Sequence, residues 1–423
     1  MVTPLTEAET LGEEPRGHVA IVSGNHAAAH ACKAAKVGVV AAYPITPQSP
    51  VVEKISEFVE SGQMPGTQFL RVESEQSAIA ACVAASATGS RVFTATSANG
   101  LAYMNEILAW AAGNRLPLVM CLATRALGAP WSVWTDHQDA ISARDTGWIQ
   151  LFCEDNQEIY DTVLQAYRIA EDPEVYLPVM VNYDGYVLSH TVMQVRLADQ
   201  ADVDRFLPPF GSHVRLADVD HPVGFSPVTT PNPIARGDDV APGYFEFRAA
   251  MQRAHERALD VIAAVNGEFA AVFGRRIGSG HFKTYRMEGA DVVLFGAGSV
   301  ACEARLACDA LRDRGVAAGA LALRTFRPFP AKQLREALSG ASVVVAFDRN
   351  VGYGVGGAFA TELRAALYGG PRRPRVYGYV VGLGGRDVKP DQLVEGVERA
   401  VAMAEAGKEQ ESTEFLGLAM EVD

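Results

Sequence analysis

Short apolar runs that do not alternate with polar positions recur along this chain, each followed by a polar turn and a helix-length stretch. A strand reads this way when it is buried on both faces, as in a parallel sheet covered by helices above and below. After a lead segment at HVAIVS, the pattern predicts a helix starting near Asn25, whose side chain suits an N-cap, and then a strand over 37–42. TQFLRVESEQSAIAACVAASATG reads as a strand ending in acidic residues and then an Ala-rich helix. Glu73 and Glu75 lie two apart, so a strand that continued through them would turn both to one side. RVFTATSANGLAYMNEILAWAAGN and LPLVMCLATRALG repeat strand, polar turn and helix or loop, and LPVMVNYD adds a further buried strand.

The pattern breaks at FLPPFGSHVRLADVDHPVGFSPVTTPNPIARGDDVAPG, where Pro, Gly, Asp and Thr replace periodicity. A helix is predicted over 248–273, and a second, smaller set of strand and helix runs starts at ADVVLFGAGSVA. The division expected is an acidic N-terminal segment (1–17), a first α/β domain (18–210), a linker or arm (211–247), a second α/β domain (248–400) and an acidic tail (401–423) that frays at its end. In open α/β sheets ligands lie beyond the carboxyl ends of the strands. That rule brings Thr46, Glu75, Thr96, Ser97 and Arg125 to one edge.

Charge narrows the classes of function. The 423 residues carry a formal net charge of -13 with 48% hydrophobic positions, so nothing supports a nucleic-acid or anionic-membrane role, and a soluble cytoplasmic enzyme is expected. The six cysteines form no C-x-x-C pair, which supports neither a zinc ribbon nor an iron–sulfur cluster in this chain. His26 and His30 have a helical ligand spacing, with Cys32 nearby, but no carboxylate completes a set, and no metal site is expected.

Candidate chemistry sits in the turns. AAYPITPQSP is a rigid, non-helical loop, because its prolines fix φ and keep the preceding residues out of the helical region, and it holds Thr46 at a strand end. Glu75, facing an Ala-rich helix, is placed to be desolvated and to share a proton with a ligand nitrogen, or else is simply solvated. Arg125 offers a guanidinium that can clamp a carboxylate. GAGSVA around Gly296 fits the dinucleotide fingerprint after a strand, but the next strand ends in Arg324 rather than an acidic residue. That leaves an NADP-dependent dehydrogenase or a plain tight turn. WSVWTDHQDAISARDTGW is dense in aromatic and ionisable groups, among them Trp131, Trp134, Asp136, His137 and Asp139, as a site wall or a subunit contact would be.

Nine ordered segments, from GNHAAAHA, AAYPITPQSP, VESEQSAIAA and TATSANGL through DHQDAISARDTGW and FLPPF to FRPFP, DRNVGYGVGG and VGLGGRDV, together resemble the α subunit of the pyruvate:ferredoxin oxidoreductase family. The resemblance implies a thiamine-diphosphate-binding pyrimidine domain followed by a transketolase-C-terminal-like domain. It implies that Glu75 hydrogen-bonds the aminopyrimidine ring nitrogen of the cofactor, that Pro44, Ile45, Ser97 and Asn99 line the cofactor, and that Thr46 and Arg125 hold the 2-oxoacid. The chain lacks a G-D-G motif with a following Asn for magnesium under the diphosphate, and lacks cysteines spaced for clusters. A β subunit carrying the diphosphate and Mg2+ site, a γ subunit and a ferredoxin-like δ subunit with [4Fe-4S] clusters are therefore implied, with thiamine diphosphate shared across an interface and CoA as co-substrate. Pyruvate is the substrate favoured; branched-chain and aryl 2-oxoacids such as phenylglyoxylate share its carboxylate and carbonyl. The alternatives are a non-catalytic scaffold subunit of such a complex, or the NADP-dependent dehydrogenase.

Overall fold

The computed structural model describes residues 17–211, 235–236, 239–240 and 244–420, so most of the expected linker and N-terminal segment lie outside the described residues. The first unit runs β1 (His18–Ser23), α1 (Gly24–Ala34), β2 (Val39–Ala42), α2 (Ser49–Glu60), β3 (Gln68–Arg71), α3 (Glu75–Ala87) and β4 (Val92–Thr96). It continues with α4 (Ala98–Gly113), β5 (Val119–Thr124), α5 (Gln138–Ser142), β6 (Ile149–Phe152), α6 (Asn156–Ala170), β7 (Val179–Asp184), β8 (Val192–Leu197) and α7 (Gln200–Phe206). A small strand pair, β9 (Ala235–Arg236) and β10 (Asp239–Val240), precedes the long helix α8 (Tyr244–Phe273). The second unit is β11 (Phe282–Tyr285), β12 (Val292–Ala297), α9 (Val300–Asp313), β13 (Ala318–Leu323), β14 (Thr325–Arg327) and α10 (Ala331–Ala337), then β15 (Val343–Asp348), α11 (Ala358–Tyr368), β16 (Arg375–Val380), α12 (Pro390–Glu405) and β17 (Glu414–Phe415).

Seven strands form the first sheet in the order β14-β6-β7-β5-β4-β2-β3. The pairs among β2 to β7 are parallel, and β4, β5 and β7 are buried along their whole length, which explains their unbroken apolar sequence. The edge strand β14 is antiparallel to β6 and comes from the second unit, so the two units share a sheet. The second sheet, β11-β13-β12-β15-β16-β17, is parallel except for β11. One face of the first sheet packs on α1, α2, α6 and α8. On the other face a continuous apolar core passes from Leu101, Leu108 and Leu122 to Phe295, Phe326, Val344 and Leu363, joining both units. Burial of this extent on both sides dictates which strand ends stay open to a ligand.

Three local expectations are corrected. Helix α1 is capped by Ser23, which accepts the His26 N–H, and not by Asn25. Asn25 lies fully buried inside the helix, donating Nδ2 to the Pro47 carbonyl (2.8 Å) and accepting from the Tyr183 hydroxyl (2.9 Å). Those partners are remote in sequence, so no local pattern reveals them. Strand β3 ends at Arg71, before the acidic pair. Ser74 caps α3 by accepting the Ser77 N–H (3.1 Å), which makes Glu75 the first helical residue and turns Glu73 outward to accept from the Ser77 hydroxyl (2.7 Å). An acidic residue in the first turn of a helix is favoured by the helix dipole. The tail is not frayed where expected: β17 pairs in parallel with β16, and the Gln410 amide both donates to and accepts from the Gly378 backbone (2.9 and 2.8 Å), as a strand neighbour would. Acidic composition marked solvent exposure there, not lack of pairing.

Asn25→Ala is expected to lower stability by about 1–3 kcal/mol, the cost of leaving the Pro47 carbonyl and the Tyr183 hydroxyl buried without partners. Chemical denaturation of the purified chain checks this; an unchanged midpoint would remove the tie between α1 and the loop after β2.

Candidate active site

Four strand ends meet at the carboxyl edge of the first sheet. The loop after β2 presents Pro44 and Thr46 exposed and Ile45 half-buried. Pro47 anchors it: a Cβ at Gly185 would stand 2.9 Å from Pro47 Cγ and 2.5 Å from the Thr124 carbonyl, so only glycine lets this loop lie against the ends of β5 and β7. Across the edge, Glu75 reaches the β4–α4 turn. A Cβ at Gly100 would stand 2.8 Å from Glu75 Oε1 and 2.3 Å from Thr96 Oγ1, which places carboxylate, hydroxyl and bare backbone in one cradle. Glu75 is buried, and among the described residues no cation and no hydrogen-bond donor ties up its carboxylate.

Polar atoms at this edge lack protein partners. Gln48 Oε1 and Nε2, Thr96 Oγ1, Ser97 Oγ, Asn99 Oδ1 and Arg125 Nε are all buried and unbonded. Burying such groups costs free energy unless something satisfies them, and a cluster of them beside a free carboxylate marks a place where a polar ligand completes the bonding. Arg125 is fixed by Nη1 to the Ser132 carbonyl (3.3 Å), which leaves the rest of its fork available, and Ala126 N–H donates to the Trp134 carbonyl (3.1 Å) above it. Trp131 and Trp134 are both exposed; the Trp134 ring packs on Tyr186 with centroids 4.5 Å apart, forming a rim at the end of β7. The structure thus gathers Glu75, Thr96, Ser97, Asn99 and Arg125 with the loop of Thr46. It leaves Pro44 at the outer margin.

Two groups of residues that sequence reasoning did not assign lie just beneath. Asp139, on the short helix α5, is fully buried and takes three backbone N–H bonds, from Ala98 (2.9 Å), Arg125 (3.0 Å) and Ala140 (2.8 Å). Burial first, and the neighbouring Asp136 second, push its pKa up to about 8. Asp184, at the end of β7, accepts from His137 Nε2 (2.6 Å), from Arg349 Nη1 (3.1 Å), from the Ser299 N–H (2.9 Å) and from the Ser299 hydroxyl. Burial alone would raise its pKa, but His137, Arg349 and Ser299 hold it well below the usual carboxylate range. The density of ionisable residues in WSVWTDHQDAISARDTGW is the signal that pointed here.

The Asp184 carboxylate also decides the dinucleotide question. It sits at the turn before α9, bonded to the Ser299 N–H where a pyrophosphate would have to lie. Arg324, the group an NADP reading needs, is buried, with Nη1 donating to the Gly280 carbonyl and Nη2 to Thr162 and Gln165. The glycines of GAGSVA make a tight turn that carries the chain's own anion. Elsewhere, the carboxylates of Glu154, Asp155 and Glu158 approach one another as cation ligands do, yet Lys283 pairs with Glu154 and Glu158, and Arg305 with Glu154 (2.8 Å). His30 lies edge-on to Phe58, where burial, with Lys33 and Lys54 nearby, pushes it down to about 4.

Residues 30–266 match the family described as pyruvate flavodoxin/ferredoxin oxidoreductase, thiamine-diphosphate-binding, and residues 290–393 match pyruvate:ferredoxin oxidoreductase core domain II. The chain belongs to the pyruvate:ferredoxin oxidoreductase family. Within it, the chain is similar to ketoisovalerate oxidoreductase subunit VorA of Pyrococcus horikoshii, 44% identical over 398 residues that cover 94% of this chain and 98% of that one. It is equally similar to pyruvate synthase subunit PorA of Methanothermobacter thermautotrophicus, 45% identical over 379 residues, 90% and 94% of the two chains. Among solved structures, 2-oxoglutarate:ferredoxin oxidoreductase from Magnetococcus marinus, with 2-oxoglutarate, coenzyme A and succinyl-CoA bound, superposes with a TM-score of 0.68 at 21% identity, covering 92% of this chain and 66% of that longer one. A split-gene transketolase shares the fold at 13% identity and a TM-score of 0.53. The family's α/β thiamine fold, followed by the smaller transketolase-like unit, is the architecture described above, and the chain is an α-type subunit of a 2-oxoacid oxidoreductase.

The high Asp139 pKa sets a pH dependence. In the unfolded chain an Asp ionises near pH 4, roughly, whereas the folded chain keeps the proton up to about 8. The native state therefore binds more protons across this window, and stability falls as pH rises through it. Asp139→Asn, isosteric and uncharged, is expected to remove that part of the slope. Thermal midpoints at pH 5 and pH 8 check it; equal slopes in parent and variant would refute the proton on Asp139.

Proposed function

We propose that this chain supplies the pyrimidine side and the substrate clamp of a thiamine diphosphate site shared with a partner subunit, in a complex that oxidatively decarboxylates a 2-oxoacid and passes the acyl group to CoA. The observation that carries this reading is the Glu75 carboxylate, unpaired among the described residues, set beside the buried and unbonded Thr96, Ser97, Asn99 and Arg125 atoms. These groups suit a heteroaromatic ring with donor and acceptor nitrogens on one side and a carboxylate on the other. When bound, thiamine diphosphate supplies a nucleophilic carbon that adds to the substrate carbonyl and takes up the electrons released on decarboxylation.

Each residue then has a task that its position allows. Glu75, held at the first turn of α3, accepts and returns a proton at a ring nitrogen. Ser97 and Asn99 present hydroxyl and amide oxygen to polar ring substituents, with Ile45 and Pro44 as the apolar margin. Arg125 meets the substrate carboxylate through the part of its fork that protein does not use, and the proline-stiffened loop aims the Thr46 hydroxyl at the same substrate. Trp131 and Trp134 form the outer wall that distinguishes pyruvate from branched-chain or aryl 2-oxoacids. The β subunit with the diphosphate and Mg2+ site, the γ subunit and a δ subunit with [4Fe-4S] clusters complete the enzyme, whose setting is the cytoplasm.

The test is CoA-dependent reduction of a viologen dye by the native complex captured through this chain, with a panel of 2-oxoacids. Turnover of one acid supports the reading and names the substrate; a thiamine-loaded, cluster-containing complex inactive with every acid would leave a scaffold subunit. Glu75→Gln is expected to lower kcat at least ~100-fold, in the range of a lost acid–base group. Arg125→Ala should raise the KM for the oxoacid while leaving the apparent affinity for CoA near parental, and an unchanged KM would take Arg125 out of the site.

A further inference from the structure

Asp139 stands apart from the groups placed around the ligand, yet both halves of the site hang on it. Its Oδ2 alone accepts two backbone N–H groups, one from Ala98 in the β4–α4 turn and one from Arg125 just past β5. Ala98 follows Ser97 and precedes Asn99, so this single oxygen sets the spacing between the cofactor-facing turn and the substrate-facing arginine. Ala98 has φ +39, a left-handed conformation that costs a residue with a Cβ and that persists only where the surroundings fix it. In that conformation its N–H is held by Asp139 (2.9 Å).

Helix α5, in turn, is held by the second unit. His137 N–H donates to the Arg349 carbonyl (2.7 Å), Val351 N–H to the Gln138 side chain (3.0 Å), and Gly385 N–H to the Thr135 carbonyl (2.8 Å). Gln150 Nε2 adds a bond to the Ala140 carbonyl (2.9 Å) from beneath. The loop after β15 thus reaches the site through α5, and the loop after β16 through Thr135 and through Ser132, whose hydroxyl donates to the Gly384 carbonyl (3.2 Å) and whose carbonyl accepts from Arg125; Asp139 is the side chain that ties α5 to both halves of the site.

We infer that Asp139 is a positioning residue, which holds the Ser97–Asn99 turn and Arg125 in register for cofactor and substrate and transmits to them the placement of the second unit. This rests on the roles proposed above for Ser97, Asn99 and Arg125. An Ala at 139 removes the shared acceptor. An Asn keeps one oxygen for the Ala98 and Arg125 N–H groups and gives up only the bond to Ala140.

The experiment compares parent, Asp139→Asn and Asp139→Ala complexes, each captured through this chain, by three readouts: thiamine diphosphate dissociation constant by tryptophan fluorescence of the cofactor-stripped complex, KM and kcat for the 2-oxoacid, and thermal midpoint. Asp139→Ala is expected to weaken thiamine diphosphate and raise the oxoacid KM by tenfold or more each. Asp139→Asn is expected to recover most of both while its thermal midpoint still falls. Lowered midpoints in both variants with cofactor affinity and KM at parental values would overturn the inference, leaving Asp139 a packing residue. If the parent itself binds the cofactor but turns over no 2-oxoacid, the functional reading fails while the affinity comparison still decides the role of Asp139.

Discussion

The buried carboxylate of Asp184 is the constraint on which the arrangement of this protein depends. It ends a fully buried strand of the first sheet, and a charge there is tolerable only if it is paired and hydrogen-bonded on every side. Its partners come from three places: His137 next to α5, Ser299 at the turn into α9, and Arg349 after β15. Satisfying one anion therefore fixes the second sheet against the first. It also determines where α5 lies, and α5 carries the aspartate that grips the ends of β4 and β5.

Around that joint the molecule divides its polar groups into two populations. Beneath the sheet edge, the charges of Asp184, Arg349, Glu154, Lys283 and Arg305 are all paired, and they hold the two units together. At the edge itself Thr96, Ser97, Asn99 and Arg125 keep buried atoms without protein partners, beside the Glu75 carboxylate. Their position is the one where parallel sheets receive ligands. The shared sheet, with β14 contributed by the second unit, ties that unit to the strands whose ends form this edge.

Similarity over the whole chain does not fix the substrate. A subunit named for ketoisovalerate and one named for pyruvate stand at nearly the same identity to this chain. The groups that meet the carboxylate and carbonyl are common to any 2-oxoacid, so discrimination falls to the wall that meets the rest of the substrate. An apolar wall separates substrates by roughly 1–3 kcal/mol per methylene, an effect that few side chains control. In the reading proposed above, Trp131 and Trp134, exposed on the rim, are side chains of that kind.

The sequence by itself determined most of the buried strands, their parallel pairing and the turns at their carboxyl ends, because burial on both faces leaves an unbroken apolar signature and proline and glycine mark turns locally. It brought Thr46, Glu75, Thr96, Ser97 and Arg125 to one edge, since the geometry of a parallel sheet needs only the strand ends to be known. Caps and pairings were another matter. Asn25 read as a cap because its remote partners, Pro47 and Tyr183, were invisible, and where the strand before Glu75 ends stayed open because the Ser74 cap competes with β continuation over a few residues. The GAGSVA turn fitted a nucleotide until the tertiary structure placed Asp184 against it, 115 residues away in the chain. Asp139 binds Ala98 across 41 residues and Arg125 across 14. Local periodicity reports burial, whereas the partner of a buried charge is chosen by the packing of distant segments, and that choice exists only in the folded molecule.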